Sequence, residues 1–377
     1  MKKIIIFLKK NIVTAIAFAI AMISSIFVPP DINYLEYFDF NTLSCLFCTL
    51  AVVCALKNIG FFIFIAKKIV SLFKNMRSCL VALVCITFIG SMLIANDMAL
   101  LTFLPLGFLI LDSTNNREHM AFVFVLQNIA ANLGGMLTPF GNPQNLYLYS
   151  KFNIDTLDFI KTMAPPFVLS IILIIGCCFL MKPTPLLIKE TEKHPDKKKT
   201  IIYLILFSIV ILVIFRIVPF WIGTIVVILS LIFLDRQALK NVDYPLLLTF
   251  VFFFVFAGNI ARIDSISDTI RDILNRDVLL MSTLSCQFIS NVPSAILLSN
   301  FTSNYHDLLI GVNIGGIGTL IASLASLITF REYQKYNKGK SLKFLALFSV
   351  INFSFLIILI LLCSWPRLVT LVVGSPR

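Results

Sequence analysis

The chain has 377 residues, of which 59% are hydrophobic and only 13% are charged, and its mean hydropathy is +0.95. A chain this apolar has too little polar surface to cover a water-soluble globule, so the composition predicts an all-α polytopic membrane protein. The formal net charge of +12 does not indicate nucleic-acid binding, because the basic residues lie in short loops between apolar runs.

Apolar runs that approach the roughly 20 residues needed to cross a bilayer recur along the chain. They predict about nine crossings, at residues 12–28, 40–56, 120–149, 163–181, 201–218, 221–234, 245–261, 308–330 and 345–363. The first run could also be a signal peptide, because residues 1–25 combine a basic start with an apolar stretch. We favour a spanning helix, since the run continues to Val28 before two prolines.

Two further apolar stretches, at about residues 78–111 and 278–300, are each interrupted by a polar pair, Asn96-Asp97 and Ser290-Asn291. As helices, residues 98–111 would reach about 21 Å and residues 278–289 about 18 Å, which is short of a bilayer core. The pattern therefore predicts two re-entrant hairpins whose tips stop near mid-membrane. The alternative is a pair of ordinary spans tilted around a polar turn.

The loop charges predict the orientation of the chain. With the N-terminus inside and the C-terminus outside, most of the 31 Lys and Arg residues lie on the cytoplasmic side. Residues 182–200 then form a cytoplasmic linker between two halves, 1–181 and 201–377. Each half has two spans, an amphipathic segment (61–73 or 263–274), a hairpin, a Gly-rich span and a last span, so we predict an inverted repeat.

The Gly-rich span of the first half, at about residues 120–150, contains Pro139, Gly141 and Pro143 within the segment 138–145. Prolines remove backbone donors and glycine permits non-helical dihedral angles, so we expect the helix to break there. Broken backbone survives in a bilayer where it is buried in protein or lines a wet cavity, and the alternative is a simple kink. We assign Thr138 and Asn142 to a substrate site.

The counterpart in the second half, at about residues 308–330, runs from Asn313 through three glycines to Thr319, followed by Ser323 and further small polar residues. This composition predicts a second broken helix. Small residues at this density also permit close helix packing, which is the alternative interpretation.

Asp97 is a carboxylate at the centre of an apolar run, where an ionisable group is costly and by default functional. Asn96 and Asn291 occupy corresponding hairpin tips, where the following helix directs its N–H groups and positive dipole end toward an anion. The alternative is that both asparagines only cap the hairpins.

The sequence offers little support for enzymatic chemistry. His119, His194 and His306 fall in loops and lack metal-ligand spacing, and no nucleophile-elbow or phosphate-loop motif occurs. Cys45 and Cys48 have C-x-x-C spacing without a second pair, which favours packing over metal binding. We expect no enzyme activity, no structural metal and no cofactor beyond a co-transported Na⁺ or H⁺.

At these residues the chain resembles the ion transporter superfamily, in particular citrate-transporter-like and arsenical-pump permeases and the related divalent anion:sodium symporters. The resemblance covers nearly the whole chain and is carried by four segments: Ala95-Asn96-Asp97, residues 138–145, Ser290-Asn291-Val292-Pro293 and residues 318–326.

The resemblance implies a homodimer in which an elevator-like domain moves against a scaffold. It implies that Asn96, Ser290 and Asn291 contact substrate, and that Gly141, Asn145, Gly318 and Ser323 lie at or near cation sites. The tip triplets, Ala-Asn-Asp and Ser-Asn-Val, lack the threonines of dicarboxylate symporters. Asp97 is more similar to the arsenical-pump permeases and to the sodium/proton antiporters of the superfamily.

The sequence therefore predicts a secondary transporter in a cytoplasmic membrane, driven by Na⁺ or H⁺, that carries a small anion or oxyanion (citrate-like or arsenite-like). Asp97 serves as proton carrier, cation ligand or substrate contact. A sodium/proton antiporter and an anion channel are the alternatives. The richness in Phe, Ile and Lys is typical of a bacterium with AT-rich DNA.

Overall fold

The computed structural model describes residues 11–73, 75–185, 195–337 and 339–373, with side chains up to Ser364. Every regular element within these ranges is a helix, which confirms the all-α prediction. Part of the linker, His194 and eight of the lysines counted in the loop charges lie outside the described residues; the lysines are Lys2, Lys3, Lys9, Lys10, Lys74, Lys189, Lys193 and Lys338.

The first half contains eight α-helices and three short 3₁₀ segments within the described residues. The α-helices are α1 (Ile12–Phe27), α2 (Phe40–Asn58), α3 (Phe61–Val70), α4 (Met76–Ile94), α5 (Asn96–Ser113), α6 (Met120–Gly134), α7 (Pro143–Lys151) and α8 (Thr156–Cys178). The 3₁₀ segments are Ile32–Tyr37, Arg117–His119 and Gly135–Leu137.

The second half continues with ten α-helices in the described part of the chain. They are α9 (Lys197–Ile214), α10 (Phe220–Leu234), α11 (Arg236–Lys240), α12 (Tyr244–Ala261), α13 (Asp264–Arg276), α14 (Val278–Ile289), α15 (Asn291–Leu298), α16 (Tyr305–Ile314), α17 (Leu324–Tyr336) and α18 (Ser341–Val373). The helix α9 is additional to the two spans, α10 and α12, that match α1 and α2 in the predicted repeat.

Seven of these helical segments are long and apolar enough to cross a membrane, and α1, α10 and α14 are shorter apolar helices. The chain is therefore a multi-pass membrane protein. The segment that includes α6 is the most buried of the seven, and nearly every α6 side chain is enclosed by other helices. The core thus lies around the first Gly-rich span.

Both predicted broken helices are broken. The first stops at Leu137 and resumes at Pro143, and the second stops at Ile314 and resumes at Leu324. The two amphipathic segments are helices as well, α3 and α13. Their position at a membrane interface stays a prediction.

The two hairpins differ in length. The arms α4 and α5 have 19 and 18 residues, or about 28 and 27 Å. Both arms are longer than predicted from the sequence, which placed the hairpin at residues 78–111. Asn75 caps α4 so that it begins at Met76, and α5 continues to Ser113. The arms α14 and α15 have 12 and 8 residues and are too short to span. Length alone thus favours re-entrance for the second hairpin only.

The packing partners are exchanged between the halves. Helix α1 packs on α12 while α10 packs on α2, and α5 packs on α17 while α15 packs on α7. Each hairpin also packs its first arm on the following Gly-rich helix, α4 on α6 and α14 on α16. This exchange supports the inverted repeat, which together with the membrane orientation remains a prediction.

Candidate functional site

The two hairpin tips share an unusual backbone conformation. Ala95 has φ 65° and ψ 149°, and Ser290 has φ 75° and ψ 158°. Positive φ with extended ψ is a region that essentially only glycine visits, and a side chain there costs about 1–3 kcal/mol. Strain of this kind persists where the surroundings over-determine it, which is typical of functional sites.

Each tip is fastened to the neighbouring break by two hydrogen bonds. In the first half, Asn96 N donates to Gly141 O (3.2 Å) and Thr138 Oγ1 donates to Met92 O (2.8 Å). In the second half, Asn291 N donates to Ala322 O (2.9 Å) and Thr319 Oγ1 donates to Gln287 O (3.0 Å). In both halves the two bonded residues of the hairpin are four positions apart, and the two bonded residues of the break are three positions apart.

The tip asparagines are the first residues of α5 and α15 and bind the free N–H of the next residue. Asn96 Oδ1 accepts from Asp97 N (3.0 Å), and Asn291 Oδ1 accepts from Val292 N (2.9 Å). These local bonds account for the oxygen of each amide. The Nδ2 group of Asn96 donates to Asn132 Oδ1 (3.3 Å).

The first break is organised by Asn145, which is fully buried. Its Nδ2 group lies within hydrogen-bond distance of Gly135 O (3.2 Å), Met136 O (3.2 Å) and Thr138 O (3.3 Å). The backbone folds tightly here, since a Cβ on Gly135 would lie 2.7 Å from Gly141 O. The freed carbonyls are thus gathered around one amide, as expected of a cation-binding or structural loop.

Asn313, on α16, connects the two halves. Its Nδ2 donates to Asn145 Oδ1 (2.6 Å), while its Oδ1 accepts from Asn142 Nδ2 (3.1 Å) and Gln144 Nε2 (3.3 Å). Asn142 Oδ1 and Gln144 Oε1 are buried and have no hydrogen-bond partner among the described residues. Buried acceptors without a partner are costly, so these two oxygens are suited to receive a ligand donor or a cation.

The second break is organised by Gln287. Its Nε2 donates to Gly315 O (2.9 Å) and Ile317 O (3.1 Å), and its Oε1 accepts from Thr319 N (2.9 Å). Gly318 has φ 120°, and a Cβ there would lie 2.2 Å from Gln287 Oε1. Ser323 caps α17, its Oγ accepting from Ser326 N (3.2 Å).

The two tips converge around Asn132. Asn96 donates to Asn132 Oδ1, and a Cβ on Gly316 would lie 3.5 Å from that oxygen and 3.0 Å from Asn291 Nδ2. The structure therefore brings the tip amides of both hairpins to one place. That place lies between the breaks.

Asp97 faces a different direction from the asparagines. It lines a cavity of about 40 Å³, which is room for a few water molecules. Its Oδ1 atom is buried and has no hydrogen-bond partner in the described part of the chain. The remaining lining is mainly apolar and comes from α2, α5, α7, α12 and α17.

The predicted site residues thus form two groups and one separate carboxylate. Asn96, Thr138, Gly141, Asn142 and Asn145 surround the first break, and Ser290, Asn291, Gly318 and Ser323 surround the second. Their assignment to substrate or cation stays a prediction.

Sequence reasoning placed Asn132, Gln144 and Asn313 within the two site-forming broken segments but gave them no individual role, and it did not single out Gln287. One signal was available for two of them. Asn132 and Asn313 each precede a Gly-Gly pair by the same interval, and a threonine follows each pair at the same interval.

The chain is similar to several known proteins. The citrate transporter family model matches residues 4–306. An uncharacterized transporter of Methanocaldococcus jannaschii is 35% identical over 303 residues, which cover 78% of this chain and 82% of that protein. The inner membrane protein YbiR of Escherichia coli is 28% identical over 273 residues, 71% of this chain and 72% of the relative. The human P protein is 27% identical over 165 residues, only 19% of its length.

Proposed function

Because the chain belongs to the citrate transporter family, we propose that it carries a small anion or oxyanion across a cytoplasmic membrane. The substrate is citrate-like or arsenite-like, and a Na⁺ or H⁺ gradient drives its transport. The observation that carries this proposal is the matched pair of strained tips, each hydrogen-bonded to a broken helix. Substrate would bind where the tip amides converge, near Asn96, Asn132 and Asn291.

An anion at this place would be held by amide groups and helix N-termini rather than by a basic side chain. Asp97 is the second residue of α5, so a negative Asp97 would repel an anion at the start of that helix. Binding of the anion therefore favours a protonated or cation-paired Asp97. This reciprocal preference is the physical basis of coupled transport.

The transport motion in this proposal is of the elevator type. The hairpins and broken helices (α4–α8 and α14–α18) would move against α1, α2, α9, α10 and α12. We also propose that two copies of the chain form a homodimer, as the resemblance implies.

The test uses protein reconstituted in liposomes on a sensor that records charge movement. Citrate, succinate, sulfate and arsenite are applied with sodium or choline at two pH values. We expect currents evoked by one class of anion that depend on sodium or on pH, and we expect Asp97→Asn to abolish them. Asp112→Asn is the matched control, because Asp112 lies at the opposite end of α5 in an exposed ion pair with Arg117. Wild-type uptake by Asp97→Asn would overturn the role of Asp97.

A sodium/proton antiporter is a second candidate, favoured by the unpartnered Oδ1 of Asp97 in a cavity apart from the asparagines. Silence toward every anion, together with proton flux driven by sodium alone, would establish this alternative.

A further inference from the structure

The cavity that Asp97 lines contains a second carboxylate, that of Asp243. Asp243 directly precedes α12, at the exposed mouth of the cavity, whereas Asp97 lies on the first hairpin. Asp97 and Asp243 are the titratable side chains among the described residues that line the cavity, and no Lys, Arg or His side chain is among them. The cavity is thus acidic and has no protein counter-charge in its wall.

Two bare carboxylates are costly in such a place. The rest of the lining is mainly apolar, including Leu50, Leu101, Phe140 and Leu146. Like charges in a small volume with a mainly apolar lining repel each other, and Asp97, whose Oδ1 atom is buried, also loses hydration. A proton or a metal cation between the two groups removes both penalties.

The oxygen atoms are arranged to accept such an ion. Asp97 Oδ1 is buried and has no hydrogen-bond partner among the described residues. Asp243 uses Oδ1 to cap α12 through Leu246 N (3.0 Å), and no other hydrogen bond to this carboxylate occurs in the described part of the chain. Thr49 on α2 adds a hydroxyl whose own proton is given to Cys45 O (2.8 Å), so its lone pairs remain available.

We infer that Asp97, Asp243 and Thr49 form a site for one small monovalent cation, Na⁺ or H⁺, that bridges the first hairpin and the start of α12. The volume of about 40 Å³ leaves room for the ion and a few waters. Asp243 gives the ion its route from solvent, since it is exposed at the mouth. The inference rests on the proposed function and deepens it, because it assigns the coupling ion a second protein ligand, Asp243, which lies outside the first hairpin.

The other groups at the mouth do not replace this ligand. Cys54 on α2 donates its thiol to Asn241 O (3.4 Å), and Asp235 caps α11 and accepts from Asn58. Lys57 near the end of α2 and Lys240 at the end of α11 are the closest cations along these elements. Neither lysine lines the cavity. Their charges would modulate the affinity for a cation without binding it.

The experiment measures cation binding to the full-length protein in detergent as a rise in its melting temperature. Sodium chloride is compared with choline chloride at equal ionic strength, and each comparison is made at an acidic and at an alkaline pH. For the wild type, a rise with sodium at constant pH identifies Na⁺, and a rise on acidification alone identifies H⁺. Asp243→Asn keeps the helix cap because Asn is an equally good N-cap, and removes only the charge. We expect it to weaken the apparent cation affinity at least about tenfold.

Asp196→Asn is the matched control. Asp196 caps α9 in the same way, through Lys199 N (3.1 Å), and does not line the cavity. It should respond as the wild type does. An Asp243→Asn response equal to that of the wild type overturns the inference, as does a wild type that responds to neither sodium nor pH.

Measurements of transport currents and of cation binding together distinguish a failure of this inference from a failure of the proposed function. Anion-evoked, cation-dependent currents that are unchanged in Asp243→Asn would remove Asp243 and leave anion transport standing. A cation response that is lost in Asp243→Asn, in a protein silent to every anion, would keep the cation site and reject the anion substrate.

Discussion

Ala95 holds the tip of the first hairpin in a conformation suited to glycine, with φ 65° and ψ 149°. Ala95→Gly should relieve strain of about 1–3 kcal/mol, partly offset by about 0.4–1 kcal/mol for the more flexible unfolded chain. We therefore expect this substitution to raise the free energy of unfolding by about 1 kcal/mol, measured by denaturant titration in detergent.

The control at the residue scale is Ala99→Gly, one turn later in the same helix, where the alanine is fully buried. Here glycine should lower the free energy of unfolding by about 1 kcal/mol, since the helix interior disfavours it. Opposite signs for the two substitutions are the expected result. A loss of stability in both would mean that the Ala95 conformation carries no strain.

Between elements, α4 approaches α6 closely at Gly134. A Cβ there would lie 2.2 Å from Phe88 O, a backbone atom that cannot rotate away. Gly134→Ala should therefore push α4 away from α6 and lower the free energy of unfolding by about 2 kcal/mol or more. Because α4 is an arm of the first hairpin, the tip should shift from Gly141 as well, and transport activity should fall.

Gly176→Ala in α8 is the matched control, because a Cβ at this position meets no atom within 4 Å. Alanine is the better helix former by about 1 kcal/mol, so this variant should be slightly more stable than the wild type. The measurement is the melting temperature of both variants. Equal behaviour of Gly134→Ala and Gly176→Ala would contradict close packing of α4 on α6.

Local breaks in the helices could be predicted from the sequence, whereas contacts between helices could not. The first break was predictable because Pro139, Gly141 and Pro143 remove donors and change dihedral angles locally, and the second because three glycines lie within residues 313–319. The bond from Asn313 to Asn145 was not, since it depends on how α16 packs beside the first break. The length of α5 was underestimated because its last residues, Asp112 and Ser113, are polar and resemble a loop.

Asp243 shows a second limit. Its position before an apolar run indicates an N-cap, and the structure has that cap. Only the tertiary structure places the same residue in the lining of the cavity that contains Asp97. The capping role of Asp243 could be predicted from the sequence, whereas its position in the cavity depends on tertiary structure and could not.

At the scale of the whole molecule, the elevator proposal requires contacts that break when one group of helices moves. Arg216, in the loop after α9, donates to Tyr149 O (2.6 Å) and Ile154 O (3.3 Å) and lies 4.5 Å from the centroid of the Tyr149 ring. It thus joins the group proposed as fixed to the end of α7, which belongs to the group proposed as mobile. Arg216→Ala should destabilise this conformation relative to others by about 1–3 kcal/mol.

The expected result is a shift in population rather than unfolding. Spin or fluorescence labels at Lys151 on α7 and Trp221 on α10, both exposed, report the distance between the two groups in a cysteine-free background. The wild type should show one dominant distance, and Arg216→Ala should add a second, because a few kcal/mol suffices to populate a minor state. Arg236→Ala is the control, since the hydrogen bond that Arg236 makes among the described residues, to Ile232 O (2.9 Å), is local. A single unchanged distance in every variant, with sodium and each anion present, would mean that the two groups move as one body.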